Sequence, residues 1–373
     1  MSVLPIEQLL NRPPIRINSE SIHQNLCGKC ILITGAAGSI GSEIARQVSP
    51  FAPRLLLLCD IAESPLYTLQ LELQERFPEL SFRPIICSIR NKTGMEKIFQ
   101  SFRPDYVYHT AAYKHVPLME EHPSECVLTN VKGTQIVADL ASTYHSDAFV
   151  LISTDKAINP ANIMGASKRI AEIYVNYLNF SDKGHSENSK TRFIITRFGN
   201  VLGSNGSVIQ RFQEQIERGG PVTVTHPEMS RYFMSIPEAC RLVLEAGNMG
   251  SGGEIFIFNM GDPITIVSLA EKMIHLAGYE PYKDIDIVFT GLRPGEKLTE
   301  EILTLGKETT PTLHNQILIE KGSEFDYRHF YSDFEHLLTA ATRFNETEVV
   351  QWMKRLVPEF ISRNSVFEEL DLH

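Results

Sequence analysis

The sequence predicts an α/β protein: a Rossmann-type doubly wound parallel sheet with a smaller C-terminal substrate-binding domain. Three observations predict it. Strand and helix signals alternate from residue 29 to residue 200, the pattern of successive parallel β-α-β units. A glycine-rich turn, Gly35-Ala-Ala-Gly38-Ser39-Ile40-Gly41, joins the first strand to the first helix. A later apolar strand, Phe149–Ile152, runs into Ser153-Thr154-Asp155-Lys156. Those polar groups fall just beyond the carboxyl end of a strand, where open α/β sheets bind ligands.

Composition sets the outer limits. The 373 residues can bury a large core, and 43% hydrophobic with 21% charged residues is ordinary for a globular enzyme. The net charge of −10 argues against broad nucleic-acid affinity. No apolar run approaches the ~18 residues of a membrane-spanning helix. No signal peptide is visible in residues 1–10, so the cytoplasm is the expected compartment. The Cys27-x-x-Cys30 pair has no second pair and no histidine at zinc spacing, so reduced structural thiols are expected and no metal site.

Taken in order, residues 1–28 carry no clear period, and Asn11-Arg-Pro-Pro14 suggests an extended arm. The strand 30–34 leads into the glycine turn and a helix over 42–48. Glycines there let backbone approach a pyrophosphate, and the helix start offers free N–H groups and a positive dipole end. The spacing is GxxGxxG, weak alone, but strand before and helix after supply its context. The strand 55–59 ends at Asp60, 19 residues past Gly41, close to the ~20 expected of a ribose-binding carboxylate. An acid there favours NAD over a 2′-phosphorylated dinucleotide. A helix N-cap is the alternative role for Asp60.

A helix over 63–77, a strand over 82–87 and a helix over 92–102 continue the alternation. The strand 106–109 leads into Thr110-Ala111-Ala112-Tyr-Lys114-His115. Small residues at 111 and 112 leave room for a cofactor; Lys114 and His115 face either substrate or solvent. A helix is expected over 124–144, with Thr129-Asn130 as its polar pair. After Ser153–Lys156 and the breaker Asn159-Pro160, the helix of Met164-Gly-Ala-Ser-Lys168 carries apolar Ile170, Ile173, Tyr174 and Tyr177 at helical spacing. Residues 181–191 read as a surface insertion and 192–197 as a strand leading to Asn200. Helices are expected over 208–217, 237–246 and 267–276, and strands over 254–260 and 286–289. The expected units are an arm of 1–28, a cofactor-binding domain of 29–200 plus 232–262, and a second domain of 201–231 plus 263–373.

Thr154, Asp155 and Lys156 differ in acidity and stand side by side, so they could run acid and base chemistry; a solvated polar turn is the plainer alternative. Together with Gly35-xx-Gly38-xx-Gly41, Asp60, Lys168 and Arg293-Pro-Gly-Glu296, they resemble the extended short-chain dehydrogenase/reductases. More narrowly, Gly35–Glu43, Thr110–His115, Ser153–Lys156 and Leu292–Lys297 resemble the UDP-N-acetylglucosamine 4,6-dehydratases of bacterial polysaccharide and glycoprotein biosynthesis, over roughly residues 10–305.

The resemblance implies NAD as cofactor and UDP-N-acetylglucosamine as substrate. It implies a cofactor site of Gly35, Gly38, Ser39, Ile40, Gly41, Asp60, Ile89, Arg90, Ala111, Ala112, Lys114, Asn130, Ser153 and Lys168. It places Lys114, His115, Asn200, Arg211, Arg231, Arg293 and Glu296 at the substrate, with Arg293 on the diphosphate and Glu296 near the uridine; for Arg231 a structural salt bridge is the alternative. Asp155 is expected as acid at the C6 hydroxyl and Lys156 as base at C5, if burial or Lys168 lowers its pKa. A homo-oligomer is implied, with helices 124–144 and 166–180 at its interface. Leu9-Leu10-Asn-Arg-Pro-Pro14 resembles a linker to a membrane anchor, leaving membrane association through a preceding region open.

Two departures stand out. Met164 occupies the place, four residues before Lys168, where the superfamily usually carries tyrosine. Ser88, in Cys87-Ser88-Ile89-Arg90, replaces an expected aspartate beside the adenine. Met164 has no proton to exchange, so Thr154 is the candidate relay for the C4 hydroxyl. The resemblance to the Met-containing, retaining branch implies retention at C5. A nucleotide-sugar 4-epimerase and a non-catalytic dinucleotide sensor remain the other readings. Asp155-Lys156 with Met164 argues against the first, and the intact Thr-Asp-Lys against the second.

Overall fold

The computed structural model describes residues 15, 17–180, 191–302, 309–320 and 325–371. Helix α1 (Ser19–Leu26) precedes five alternating pairs. These are β1 (Cys30–Thr34) with α2 (Ser39–Val48), β2 (Leu55–Asp60) with α3 (Glu63–Arg76), and β3 (Phe82–Ile86) with α4 (Lys92–Phe102). Then come β4 (Tyr106–His109), the short helices α5 (Val116–Glu121) and α6 (Pro123–Cys126), a π-helical turn Val127–Lys132, and α7 (Gly133–Thr143). The fifth pair is β5 (Ala148–Thr154) with α8 (Ile163–Phe180), followed by β6 (Arg192–Phe198).

The chain continues through β7 (Asn200–Leu202), α9 (Val208–Glu217), β8 (Val222–Val224), β9 (Ser230–Arg231) and β10 (Phe233–Ser235). Next are α10 (Ile236–Met249), β11 (Ile255–Phe258), β12 (Ile264–Thr265), α11 (Ile266–Leu276) and β13 (Ile287–Phe289). The C-terminal part holds β14 (Thr309–Pro311), β15 (Ile317–Glu320), α12 (Phe330–Thr342) and α13 (Glu346–Leu356).

The main sheet runs β14-β15-β11-β6-β5-β4-β1-β2-β3. Its six central strands have the doubly wound order 3-2-1-4-5-6, and β11 extends them in parallel. Strands β1, β4 and β5 are buried on both faces, which is why they read as unbroken apolar runs. One core cluster lies on each face of the sheet. A third, smaller cluster of Phe212, Ile216, Val222, Leu269, Met273 and Ile287 holds α9, α11, β8 and β13 together. The cleft runs between this small core and the sheet's carboxyl edge.

Four expectations change. The extended arm is helical at α1, whose Ile22 and Leu26 are buried beneath α10 in the sheet's core; residues 1–14, with the linker-like Leu9–Pro14, lie outside the described residues, as does most of the 181–191 insertion. The single helix over 124–144 is broken by the π turn, which inserts one residue of slack into its hydrogen-bond ladder. The assignment of 263–373 to the small domain fails at its end. Strand β15 pairs antiparallel with β11, and β14 with β15. Helices α12 and α13 bury Phe330, Phe334, Leu337, Val349, Val350 and Met353 in the main core. That placement also covers α8 and the π turn, so the face expected as a subunit interface is packed within the chain. No described helix is long and apolar enough to cross a membrane.

Arg197, at the end of β6, crosses this core as a buried charge. It donates to Glu172 Oε1 and Oε2 on α8 at 2.7 and 2.6 Å, and to Glu320 Oε2 on β15 at 2.6 Å. Burial raises the Glu172 carboxyl, but Arg197 and Arg169 outweigh it and hold the group down at about 2. Removing one partner of such a set strands the others in a dry interior. Arg197→Met should therefore lose about 3–5 kcal/mol of stability, read from the shift of the denaturant unfolding midpoint at pH 7.

Candidate active site

The glycine turn forms a cradle with no room for side chains. Gly35 takes φ +67°, and a Cβ there would lie 2.7 Å from the Ala111 backbone. A Cβ on Gly41 would lie 2.2 Å from the Gly35 carbonyl oxygen. Gly38 caps α2 without any side-chain acceptor, so the helix start presents its N–H groups to the cleft. Asp60 accepts from the Ala37 and Ala62 amides, each at 2.9 Å. It thus ties the glycine turn to the start of α3; the N-cap of α3 is Ala62, without a side-chain cap, so Asp60 is not the N-cap.

One continuous cleft of about 1000 Å³ runs from Asp60, Ile89 and Arg90 past Gly35, Gly38, Ser39 and Ile40 to Ala111, Ala112, Ser153, Thr154, Lys156, Met164 and Lys168. It then passes Asn200, Arg211, Arg231, Arg293 and Glu296. Thr129 Oγ1 is buried on its wall with no hydrogen-bond partner among the described residues. An unmet hydroxyl in a long cleft beside a glycine cradle fits a bound dinucleotide.

The Thr-Asp-Lys segment is positioned by β5. Thr154 ends the strand and caps a single 3-10 turn over Asp155–Ala157, its Oγ1 accepting from the Lys156 amide at 3.4 Å. The same hydroxyl donates to Asp155 Oδ1 at 2.8 Å. Lys156 Nζ lies 3.1 Å from Asp155 Oδ1, 3.1 Å from Asn200 Oδ1 and 3.6 Å from Glu300 Oε1. Asp155 is only 2% exposed and sits just behind the cleft wall; its Oδ2 has no partner among the described residues.

The two lysines reverse the expected electrostatics. Burial lowers the Lys156 pKa, but the Asp155 and Glu300 carboxylates more than offset it, so the amine is held protonated. Lys168 lies in the same wall, and burial pushes it down to about 8 despite the Glu172 carboxylate. The lysine softened by its surroundings is Lys168, and the resting Lys156 is an ammonium. Met164 is buried at the start of α8 and lines the cleft.

Several expected contacts are committed elsewhere. Asn130 does not line the cleft: its amide brackets the Tyr113 backbone, accepting from the N–H at 2.8 Å and donating to the carbonyl at 3.0 Å. It shapes the loop after β4, and its neighbour Thr129 is the residue that faces the cleft. Arg90 pairs with Glu125 at 2.5 Å. Arg231 donates to the carbonyls of Ser230, Leu298 and Lys297, so its structural role dominates. Arg293 is half exposed and grips Glu296 at 2.6 Å. Lys114 donates to the Asn205 carbonyl at 2.7 Å, while the Asn205 amide donates to Ser39 Oγ at 3.1 Å. Segment 203–206 thereby bridges the cleft, with Gly206 against the His115 ring. Arg211 is exposed at the same rim. Sequence reading missed Thr129 and Glu300. The latter's only signal was a second acid four residues after Glu296. Cys30 is buried in β1 and Cys27 exposed, both as free thiols.

A six-strand doubly wound core, a glycine cradle and a lysine-bearing helix after β5 define an extended short-chain dehydrogenase/reductase. The chain belongs to the polysaccharide biosynthesis protein family, whose profile matches residues 31–322. It is 50% identical over 317 residues to the capsular polysaccharide biosynthesis protein CapD of Staphylococcus aureus, covering 85% of this chain and 51% of that protein. The chain therefore spans about half the length of that relative. A UDP-N-acetylglucosamine 4,6-dehydratase (inverting) of Campylobacter jejuni is 34% identical over 280 residues, 74% of this chain and 78% of its own. A UDP-glucose 4-epimerase of Rickettsia canadensis is also 34% identical, with the same coverage of both chains. Among solved structures, Pen from Bacillus thuringiensis superposes with a TM-score of 0.70 at 35% identity, over 81% of this chain and 90% of that one.

The depressed Lys168 carries a pH signature. Its folded pKa of about 8 lies below the ordinary lysine value of 10.5. Between those values the unfolded chain binds the extra proton, so this group's contribution to stability rises as pH climbs through that window. Lys168→Met should abolish that component. The difference in unfolding free energy between Lys168→Met and the parent should favour the variant at pH 7 and shrink towards pH 10.

Proposed function

We propose that the protein catalyses the NAD-dependent 4,6-dehydration of UDP-N-acetylglucosamine to a UDP-4-keto-6-deoxy-N-acetylhexosamine, with C5 configuration retained. One observation carries the reading: Lys156 on the wall of the cleft that also holds the glycine cradle, ion-paired to Asp155 just behind that wall, with Thr154 bonded to Asp155. The family and the 34% identical dehydratase support the 4,6-dehydration; that relative is an inverting enzyme by its name, so retention rests on Met164 alone.

NAD, when bound, supplies a hydride acceptor for C4 and a hydride donor for C6. Gly35, Gly38, Ser39 and Ile40 with the start of α2 would take its pyrophosphate, Asp60 a ribose, Ile89 and Arg90 the adenine, and Ala111, Ala112, Thr129, Ser153 and Lys168 the nicotinamide half. Arg293 and Arg211 suit a diphosphate, whose guanidinium contacts are strongest as paired bonds; Arg293 would exchange Glu296 for it. Lys114, His115, Asn200 and Glu296 line the remaining substrate path.

The proton inventory follows from the resting pair. One ammonium proton of Lys156 passes to the Asp155 carboxylate, leaving a free amine and a carboxylic acid. Once C4 is a ketone, the amine removes the C5 proton and Asp155 protonates the departing C6 hydroxyl, which leaves as water. The pair then stands again as ammonium and carboxylate, and the ammonium returns its proton to C5; the amine so left takes up one proton from solvent, matching the C4 hydroxyl proton released to solvent at oxidation. Thr154, bonded to Asp155, offers the C4 hydroxyl proton a path that Met164 cannot. With no titratable group at 164, a single base serves one face of C5 in both directions, hence retention.

The equal identity of a UDP-glucose 4-epimerase favours one second reading, a nucleotide-sugar 4-epimerase. Mass spectrometry of the product from UDP-N-acetylglucosamine separates them. A product lighter by one water supports dehydration, and an isomer of unchanged mass supports epimerisation. Proton NMR of the earliest product should show the xylo configuration at C5, with deuterium at C5 in heavy water; an L-arabino product sinks the one-face argument. Lys156→Ala should lose dehydration by about 100-fold or more while still forming NADH absorbance on adding substrate.

Cofactor choice has its own check. The Asp60 carboxylate would meet the 2′-phosphate of NADP in a confined pocket. Calorimetric titration should give tighter binding of NAD(H) than NADP(H), and Asp60→Ala should narrow the difference. Equal affinities in the wild type overturn this assignment.

A further inference from the structure

Glu300 stands apart from every role given above. It follows the Arg293–Lys297 run, is 4% exposed, and lines the cleft opposite β5. Its Oε1 lies 3.6 Å from Lys156 Nζ, and 3.8 Å from Arg231 Nη2. Arg231 is itself fixed by the carbonyls of Ser230, Leu298 and Lys297. The same guanidinium that anchors segment 297–300 thus sets where the Glu300 carboxylate points. A buried carboxylate exerts a strong field on a cation at this range.

We propose that Glu300 is the positioning residue for Lys156, reaching across the cleft to hold its ammonium at the wall and to govern when that amine surrenders its proton. The inference rests on the reading of Lys156 as the C5 base. The groups facing Lys156 are Asp155 on its own turn, Glu300 and Arg231 from across the cleft, and the neutral Asn200 amide after β6. Asp155 is the proton's acceptor, so its charge is consumed when the free amine forms. The Glu300 carboxylate takes no part in that transfer and opposes it, and Arg231 tempers the opposition. The pair Glu300–Arg231 therefore sets the balance between ammonium-carboxylate and amine-acid forms of Lys156 and Asp155. A purely structural Glu300 would affect stability without touching that balance.

The test titrates Lys156 in the NAD-loaded full chain, using reductive 13C-methylation and NMR, with Lys156→Arg to assign its signal. Glu300→Gln keeps the shape and removes the charge. Its Lys156 midpoint should fall by about half a pH unit or more, and Glu300→Asp, its carboxylate drawn back by one methylene, should fall between. The falling limb of kcat against pH with UDP-N-acetylglucosamine, on which the Lys156–Asp155 pair loses the proton that Asp155 must give, should move to lower pH by the same amount. Below that limb the amine-acid form of the pair is favoured, so turnover there should rise by up to about tenfold where the midpoint falls by a full pH unit. Midpoints equal to wild type in both variants overturn the proposal, and if Glu300→Gln does not fold, an unchanged midpoint in Glu300→Asp does so alone. A lowered midpoint without any dehydration by the wild type leaves the Glu300 coupling standing and removes the dehydratase reading instead.

Discussion

The buried cluster of Arg197, Glu172 and Glu320 ties together the parts on which everything else depends. Arg197 ends the strand beside β5, Glu172 lies on the helix that carries Met164 and Lys168, and Glu320 closes the edge added by β15. Ser153 joins the same cluster by donating to Glu172 Oε1 at 2.6 Å. The strand end that delivers Thr154, Asp155 and Lys156 is therefore fixed to α8 by a charge network without access to water. Such a network is costly unless every member is met, and here the two carboxylates share one guanidinium and two further donors.

That rigidity gives the site two lysines of opposite character. Lys168 is embedded in α8 with its charge poorly supported, so burial wins. Lys156 stands at the wall with carboxylates on two sides, so attraction wins. The contrast comes from what each side chain meets, since both are largely removed from solvent. Both line the cleft that also passes Asn200, Arg293 and Glu296.

Much of the fold was legible in the sequence because parallel strands buried on both faces announce themselves as apolar runs, and because glycine turns and caps mark the helices. Strands at 30–34, 55–60, 106–109 and 192–198 were read within a residue or so at each end. The π turn at 127–132 was invisible because its helical period is nearly intact. The strands and helices after residue 306 were not read as elements at all, and 263–373 was assigned whole to the small domain, because an apolar face does not say which core it joins. At the site, Thr154, Asp155 and Lys156 were singled out by their place beyond a strand end, and Met164 and Lys168 by the family resemblance; all of these but Asp155 line the cleft. Asn130 was misplaced because an amide one residue from a cleft-facing threonine has the same polarity and a different direction. Glu300 and the direction in which the Lys156 pKa moves were beyond sequence, since both depend on a contact across 144 positions of chain.

The packing of α12 and α13 over α8 bears on how the molecule breathes. Helix α8 has sheet on one side and a helical pair on the other, so its amides can open only when the C-terminal pair also lets go. Segment 203–206 is joined to Ser39 and Lys114 across the cleft by three hydrogen bonds. Local unfolding follows the weakest cooperative unit. The segment over the cleft is thus expected to open more readily than the frame beneath it. Under the proposed function, ligand would enter and leave past this strap while the frame stays closed. Disturbing the far C-terminus would loosen the helix of Lys168 although no described residue beyond 320 lines the cleft.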